Sequence, residues 1–351
     1  MTRRASHRMM LSLKGIATGL LTMLAVSHAE AYTYRTCGGH TIRWNRQWDN
    51  RWISTTSFPA GSVWDARYQN AMWHWNNVKR SAFDFFVMRD TDGTHNQWNG
   101  RSEVYLDNSL SLPTLAVTIV RYHCFWFFGW HYELDETDMG FNNNVTWNLN
   151  PLDYSNLGLP FSFEGVALHE LGHALGLNHE DRWLATLNSN YPAAGTMGHW
   201  REWDPTGDDR EGARFMYPDR TSEVDIAGSV FTSIGGGSSA LVTSPVSAAR
   251  GSTIRIQFTF SNLSTSTQTF DIGFYLSSND FISKFDRLLG TNSGAWGNPG
   301  FTGSFFRSLT IPADVAPGQY WLGFIVDNAE GVGEANEVNN NMEMPRPIQI
   351  N

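Results

Sequence analysis

The stretch from His169 to Glu180 constrains this chain most, because its spacing suits a helix that ends and turns back beside a metal ion. It reads His-Glu-Leu-Gly-His-Ala-Leu-Gly-Leu-Asn-His-Glu. Residues four positions apart lie on one face of a helix, so His169 and His173 can direct their imidazoles at one ion. Gly176 can end the helix in the left-handed conformation, which would let His179 return as a third ligand.

The composition of this predicted site favours catalysis over a structural role. Three histidines leave one position of a tetrahedral zinc ion open, whereas a structural site is usually closed by a fourth protein ligand, often cysteine. The only cysteines, Cys37 and Cys124, are far away in sequence. Glu170 follows the first histidine and is well placed to touch a water on the ion. A histidine cluster that binds no metal is the alternative.

The stretch resembles the zinc-binding signature of the metzincin metallopeptidases, H-E-x-x-H-x-x-G-x-x-H, and matches it at every fixed position. The resemblance implies one catalytic Zn²⁺ held by His169, His173 and His179. It also implies that Glu170 takes a proton from the zinc-bound water and delivers it to the leaving amine. The expected activity is that of a zinc endopeptidase of bacterial matrixin-like type, acting on protein or peptide substrates.

The same resemblance implies a methionine turn beneath the metal. Met197, in Gly-Thr-Met-Gly, is the preferred candidate, and Met216 is the competitor. Residues 208–217 resemble the helix that ends a matrixin-type catalytic domain, so Met216 is interpreted as a packing residue of that helix. His199 and Trp200 follow the predicted turn and are expected to line the substrate pocket.

Residues 1–31 have the features of a secretory signal peptide. Basic residues precede an apolar core from Ile16 to Val26, and Ala29-Glu30-Ala31 is a cleavage site of the A-x-A kind. The apolar core is too short and interrupted to be a strong membrane span, and no other segment approaches that length. We therefore expect a secreted protein that begins at Tyr32.

Export changes the interpretation of charge and cysteine. The formal net charge is −9, and it becomes −12 without residues 1–31, which argues against nucleic acid or an anionic membrane as a partner. In an oxidising compartment, the two cysteines most simply form one disulfide, Cys37–Cys124. Two free buried thiols are the alternative.

Composition divides the chain near Asp219. Every histidine lies before this residue, while glycine, serine, threonine and alternating apolar residues follow it. The predicted domains are a signal peptide (1–31), a metzincin-like zinc peptidase domain (32–219), a linker (220–239) and a β-sandwich domain (240–351).

The first domain is predicted to have an α+β fold, a mixed twisted sheet with helices, as the metzincin resemblance also implies. Helical spacing of apolar residues predicts a helix over 61–80. Alternating or β-branched residues predict strands at 41–44, 101–106 and 115–122.

One of these strands is the candidate for substrate binding. By resemblance, Leu115, Ala116 and Val117 belong to an edge strand over the cleft, where an extended substrate pairs with the main chain. The alternative is an interior strand. The aromatic run 124–130 either forms a rim of the cleft or packs around an ordinary loop.

Two acidic stretches are candidates for Ca²⁺, because clustered oxygens are the ligands that calcium prefers. The first extends from Glu133 to Asn144, and the second combines Asp90 and Asp92 with a turn at Gly93. Neither matches a complete calcium loop, and a solvated acidic face is the alternative.

The second domain is predicted to be an antiparallel sandwich with strands at 255–260, 269–276, 305–311 and 320–326. Residues 317–322, and 334–340 after them, resemble the immunoglobulin-like CARDB domains of bacterial secreted proteins. This domain would either bind a cell-surface or matrix ligand or serve as a spacer. Two alternatives for the whole chain follow: an adhesion protein with a vestigial zinc domain, and an enzyme specific for peptidoglycan peptides.

Overall fold

A computed structural model of the chain describes residues 32–91, 93–150, 161–180, 185–187, 189, 205–229, 247–279, 281–343 and 347–351. The predicted signal peptide lies outside these residues. The described part is mostly β-strand with three α-helices and several sheets. No helix within it is long and apolar enough to cross a membrane.

The helices are α1 (Val63–Asn76), α2 (Phe163–Ala174) and α3 (Gly207–Met216). The strands before residue 219 are β1 (Thr36–Cys37), β2 (His40–Thr41), β3 (Trp48–Ser54), β4 (Asp84–Asp90), β5 (Ser102–Asp107), β6 (Ala116–Trp126), β7 (Trp130–Asn142), β8 (Trp147–Asn148) and β9 (Phe161–Ser162). Five of them form one sheet in the order β4-β3-β5-β7-β6. Only β6 pairs antiparallel in this sheet, and it lies at one edge. Among the described strands this position is an edge rather than the interior of the sheet.

Helix α1 is shorter than the predicted span 61–80. It begins after Ser62, whose side chain accepts a hydrogen bond from the Asp65 N–H, and it ends where Asn77 donates back to Trp73. Arg80 then has a left-handed φ of 65°, which cannot continue a helix. The buried face of α1 packs on α2, and the Trp75 indole donates to the carbonyl of Leu168.

Strand β3 is absent from the sequence prediction, and its buried positions show why. Asp49, Arg51 and Ile53 face inward in alternation, so charged residues occupy two core positions. Arg51 is fully buried and donates to Asp49 Oδ2 at 2.9 Å and to Thr137 Oγ1 at 2.6 Å. Hydrophobic alternation cannot reveal such a strand, because its buried charges are compensated by each other and by hydroxyl groups of Thr137 on β7 and Tyr68 on α1.

The hairpin of β6 and β7 carries the aromatic run at its tip. Phe128 is 91% exposed and Trp126 is 66% exposed, so these rings are not packed around a loop. The predicted disulfide Cys37–Cys124 is present and joins this hairpin to β1, with the two Cα atoms 6.1 Å apart.

The later strands are β10 (Ile226–Ser229), β11 (Ser247–Ala248), β12 (Thr253–Asn262), β13 (Gln268–Ser277), β14 (Arg287–Gly297), β15 (Phe301–Thr310), β16 (Gly318–Val326), β17 (Asn341–Glu343) and β18 (Ile348–Ile350). They form a sheet β10-β12-β15 and a sheet β11-β18-β16-β13-β14, with β17 against β16. A shared apolar core joins the two sheets. The four predicted strands correspond to β12, β13, β15 and β16.

The predicted linker 220–239 needs correction in its first half. Residues 226–229 form β10, which pairs antiparallel with β12, and Asp225 and Glu223 accept main-chain hydrogen bonds from Leu263 and Thr265. Ile226 is fully buried in the sandwich core and anchors this stretch together with the buried Ala227. Residues 230–239 lie outside the described part of the chain.

Helix α3 contacts the second domain through a buried arginine. Arg214 donates to Glu211 Oε1 at 2.5 Å on its own helix, to Glu223 Oε2 at 2.8 Å and to the carbonyl of Leu263 at 3.0 Å. Arg80 also donates to the carbonyl of Leu263, at 2.9 Å. The guanidinium groups thus satisfy a main-chain acceptor that follows β12.

Candidate active site

Helix α2 carries the first part of the candidate site and is held at both ends. The Ser162 hydroxyl accepts from the N–H of Gly165 at 3.1 Å and so caps the start of the helix. At the other end, the Trp44 indole donates to the carbonyl of Ala174, and the Tyr217 hydroxyl donates to that of Leu175, both at 2.8 Å. These donors satisfy carbonyls that have no partner within the helix.

The three histidines of the sequence motif converge on one point. The distance from His173 Nε2 is 3.1 Å to both His169 Nε2 and His179 Nε2, and the remaining pair is 3.3 Å apart. Nitrogen ligands at about 2.0–2.1 Å from a tetrahedral zinc ion would be separated by about 3.3 Å. The spacing of the three nitrogens therefore fits such an ion.

The Nδ1 atoms support the same fit. His169 Nδ1 lies 2.7 Å from the carbonyl oxygen of Thr186, and His173 Nδ1 lies 2.9 Å from that of Leu177. Since a carbonyl only accepts, Nδ1 carries the proton and Nε2 keeps its lone pair. Burial, together with the neighbouring His169, lowers the pKa of His173 well below its usual value, so the ring is neutral. Lone pairs of neutral rings that face each other this closely suit a shared cation.

The turn after α2 returns the third histidine. Gly176 has a φ of +97°, in the left-handed region, and a Cβ there would lie 2.8 Å from Met216 Cε and 3.1 Å from the carbonyl oxygen of Ile42. Beyond it, the N–H of Asn178 donates to the Thr33 carbonyl at 2.9 Å, and the Thr33 hydroxyl donates to the His179 carbonyl at 2.6 Å. The N-terminal segment therefore holds the His179 loop.

A second layer, which the sequence did not reveal, positions His169. The carbonyl of Thr186 accepts from the imidazole, while its N–H donates to Asp209 Oδ2 on α3 at 2.7 Å. Leu187 packs directly on Gly172 of α2, where a Cβ would lie 2.7 Å from the leucine methyl. Burial raises the pKa of Asp209, and hydrogen bonds from Thr206 and Thr186 only partly offset this effect.

Glu170 lies on the side of α2 that faces β6. It is 5% exposed, and one carboxylate oxygen, Oε2, accepts a hydrogen bond of 2.5 Å from the Thr118 hydroxyl. Burial raises the pKa of Glu170 to about 7, while Thr118 and His179 act in the opposite direction. A carboxylate with such a pKa can exchange a proton near neutral pH. The sequence places Thr118 in the predicted edge strand but does not predict its contact with Glu170, because nothing local to β6 indicates a contact with α2.

The three residues predicted to bind substrate differ in their surroundings. Leu115 is buried, and its carbonyl accepts from the N–H of Asn142 on β7 at 2.8 Å. Main-chain groups alternate in direction along a strand, so those of Val117 also face β7, while those of Ala116 and Thr118 face the free edge. Of the predicted set, Ala116 is therefore the residue whose main-chain groups face away from β7, on the side where no described strand pairs with β6.

Other predicted positions are not described. Met197, His199 and Trp200 lie outside the described residues, so the methionine turn and the pocket wall stay predictions. Met216 ends α3 and is fully buried, as its interpretation as a packing residue requires.

In the first predicted calcium stretch, three of the four carboxylates have partners within the protein. Asp135 contacts His123, while Glu136 and Asp138 contact Arg121. Of the second, Asp92 lies outside the described residues, and Asp90 lies 3.3 Å from His95 Nδ1. Calcium at either stretch stays a prediction.

The Peptidase_M10 family model, described as matrixin, matches residues 126–218, which include α2 and the three histidines. This match covers less than half of the chain, and it confirms the matrixin resemblance for that part. Matrixins are metallopeptidases that use zinc. No curated protein matches the chain.

Several solved structures are similar to parts of the chain. The crystal structure of a CARDB domain from Pyrococcus furiosus has 14% identity, covers 38% of this chain and 97% of its own, and has a TM-score of 0.27. The solution structure of that domain has 18% identity, covers 30% and 87%, and has a TM-score of 0.24. A β-glucosidase from Listeria innocua has 14% identity, covers 38% and 17%, and has a TM-score of 0.23. CARDB domains are thus among the matches, but scores this low carry no argument about the second domain.

Proposed function

We propose that this protein is a secreted zinc endopeptidase that hydrolyses peptide bonds of protein substrates. The observation that carries the proposal is the convergence of three imidazoles, with Nε2 atoms 3.1–3.3 Å apart, next to a buried glutamate on the helix that carries two of them. The matrixin match over residues 126–218 supports a metallopeptidase. The disulfide and the absence of a membrane-spanning helix among the described residues fit an extracellular protein.

In this proposal His169, His173 and His179 hold the ion. Bound zinc would act as a Lewis acid that polarises the scissile carbonyl and stabilises negative charge on its oxygen. The Glu170 carboxylate accepts a proton from the attacking water and then delivers it to the leaving amine. Thr118 holds one oxygen of that carboxylate and orients it.

The substrate would bind as an extended strand along the free edge of β6. Main-chain groups of Ala116 and Thr118 offer hydrogen bonds to a peptide without regard to its side chains. Because Thr118 also contacts Glu170, this pairing would bring the scissile bond close to the proton acceptor.

Casein cleavage tests this function. The purified mature protein is expected to bind zinc, to cleave unstructured casein, to lose this activity with a zinc chelator, and to regain it when zinc is restored. The measurement is the release of soluble peptides, beside metal analysis of the same sample. Cleavage that persists without metal, or a protein that binds no zinc, would contradict the proposal.

A second test concerns the pH dependence of that activity. Thr118→Val removes the hydroxyl that donates to Glu170, so the ionised carboxylate loses a hydrogen bond and its pKa rises, on the order of one unit. Since proton acceptance needs the ionised form, the acidic limb of kcat/KM should move to higher pH. Ser109→Ala is the control, because this hydroxyl donates to Asp107 in an exposed turn. An unchanged acidic limb in Thr118→Val would contradict the role of this contact.

A further inference from the structure

A second group of potential ligands lies apart from the three histidines, at one end of the central sheet. Asp90 ends β4, Glu103 lies at the start of β5, and His95 belongs to the segment that connects them. One ligand atom of each side chain lies within 4.8 Å of the others, and His95 Nδ1 is 3.3 Å from Asp90 Oδ2. Strand pairing therefore brings an imidazole and two carboxylates together.

Burial makes this grouping costly without a cation. Asp90 is 2% exposed and Glu103 is fully buried. One oxygen of Glu103, Oε1, accepts from Asn99 Nδ2 at 3.0 Å, whereas Oε2 has no hydrogen-bond partner. A buried carboxylate oxygen left without a partner carries its full desolvation cost, which a bound cation would offset.

Arg121, on β6, is engaged by two other carboxylates of this region. Arg121 pairs with Glu136 at 2.7 Å and also with Asp138. Glu136 also accepts from the N–H groups of Asn99 and Gly100, in the segment that connects β4 to β5. Arg121 therefore compensates Glu136 and Asp138 rather than Glu103.

The ligand side chains are held in place by contacts that need no ion. The His95 ring stacks on Tyr105, with ring centroids 4.6 Å apart and planes 10° apart. The N–H of Glu103 donates to Asp138 Oδ1 at 2.9 Å. Ligands that neighbouring residues orient in this way form a preorganised site.

We propose that Asp90, His95 and Glu103 bind a divalent transition-metal ion such as Zn²⁺, separate from the ion of the three-histidine site. The imidazole decides the class of metal, because calcium and magnesium prefer oxygen ligands, whereas zinc accepts nitrogen and oxygen together. The three protein ligands come from the end of β4, the start of β5 and the segment between them. A bound ion would therefore stabilise that segment.

Metal stoichiometry tests the proposal. The apo protein is dialysed against Zn²⁺, and bound metal is counted in wild type, His95→Ala and His123→Ala. His123 is the matched control, because it is an exposed histidine that pairs with Asp135 and belongs to neither group of potential ligands. His95→Ala should bind one ion fewer than His123→Ala, and zinc should raise the Tm of the control more than that of the variant.

The comparison between the two variants does not depend on the three-histidine site, because both retain it. Glu103→Gln serves as the second variant if His95→Ala does not fold, since glutamine can still accept from Asn99 while it loses the charge. Equal zinc in the variants and the control would overturn the proposal, and so would a site that takes Ca²⁺ in preference to Zn²⁺.

Discussion

Glu170→Gln should lower kcat for casein cleavage by about 10²–10⁴-fold, the usual contribution of a positioned general base, and leave bound zinc unchanged. Glutamine keeps the shape of the side chain and can still accept the Thr118 hydroxyl, which donates to Oε2 at 2.5 Å. It cannot take a proton from the attacking water. The measurement is steady-state cleavage by samples matched for zinc content.

The control for this variant is Glu164→Gln on the same helix. Glu164 is also buried, at 3% exposure, but it contacts Arg67 and Asn70 of α1 instead of β6. Glu164→Gln removes a buried carboxylate from α2 and leaves the residues of the candidate site unchanged. Its activity should therefore stay near that of wild type. Equal losses in both variants, or loss of zinc from Glu170→Gln, would contradict the role given to Glu170.

Arg214→Ala should lower the free energy of unfolding by about 3–5 kcal/mol, the cost of removing one partner from a buried ion pair. The guanidinium is buried between Glu211 and Glu223, and it donates to both and to the Leu263 carbonyl. Alanine would leave two buried carboxylates and a carbonyl without this donor. Urea unfolding followed by circular dichroism measures the change.

An exposed ion pair provides the comparison for Arg214. Arg287 pairs with Asp314 at 3.0 Å, and the two side chains are 53% and 67% exposed. Arg287→Ala should change the free energy of unfolding by less than about 1 kcal/mol, because water already solvates both groups. A similarly small effect of Arg214→Ala would show that Glu211 and Glu223 are neutralised in another way.

Elements with a regular apolar pattern were predictable from the sequence. The spacing of apolar residues predicted α1, and alternation predicted β12, β13, β15 and β16 within a few residues of their bounds. Strand β3 was not predicted, because Asp49 and Arg51 occupy its buried positions and break the alternation. The sequence does not predict strand β10, because its Gly and Ser residues leave little apolar alternation.

The candidate site also combines features that the sequence predicts with contacts that it does not predict. The helix that brings His169 and His173 to one face depends on local spacing, as does the glycine turn that returns His179. Contacts with distant segments support that site: the Thr33 hydroxyl donates to the His179 carbonyl, and Asp209 accepts from the N–H of Thr186. No local pattern specifies these contacts, since their partners are far apart along the chain.

The sequence by itself determined the chemistry that this chain can offer: three imidazoles and a glutamate at helical spacing, and two cysteines for one disulfide. Tertiary structure decided which groups meet. It brings the Thr118 hydroxyl to Glu170, and it gathers Asp90, His95 and Glu103 at one end of the sheet. The physical reason is that periodicity reports which face of an element is buried, whereas the partners on that face are set by strand pairing and packing.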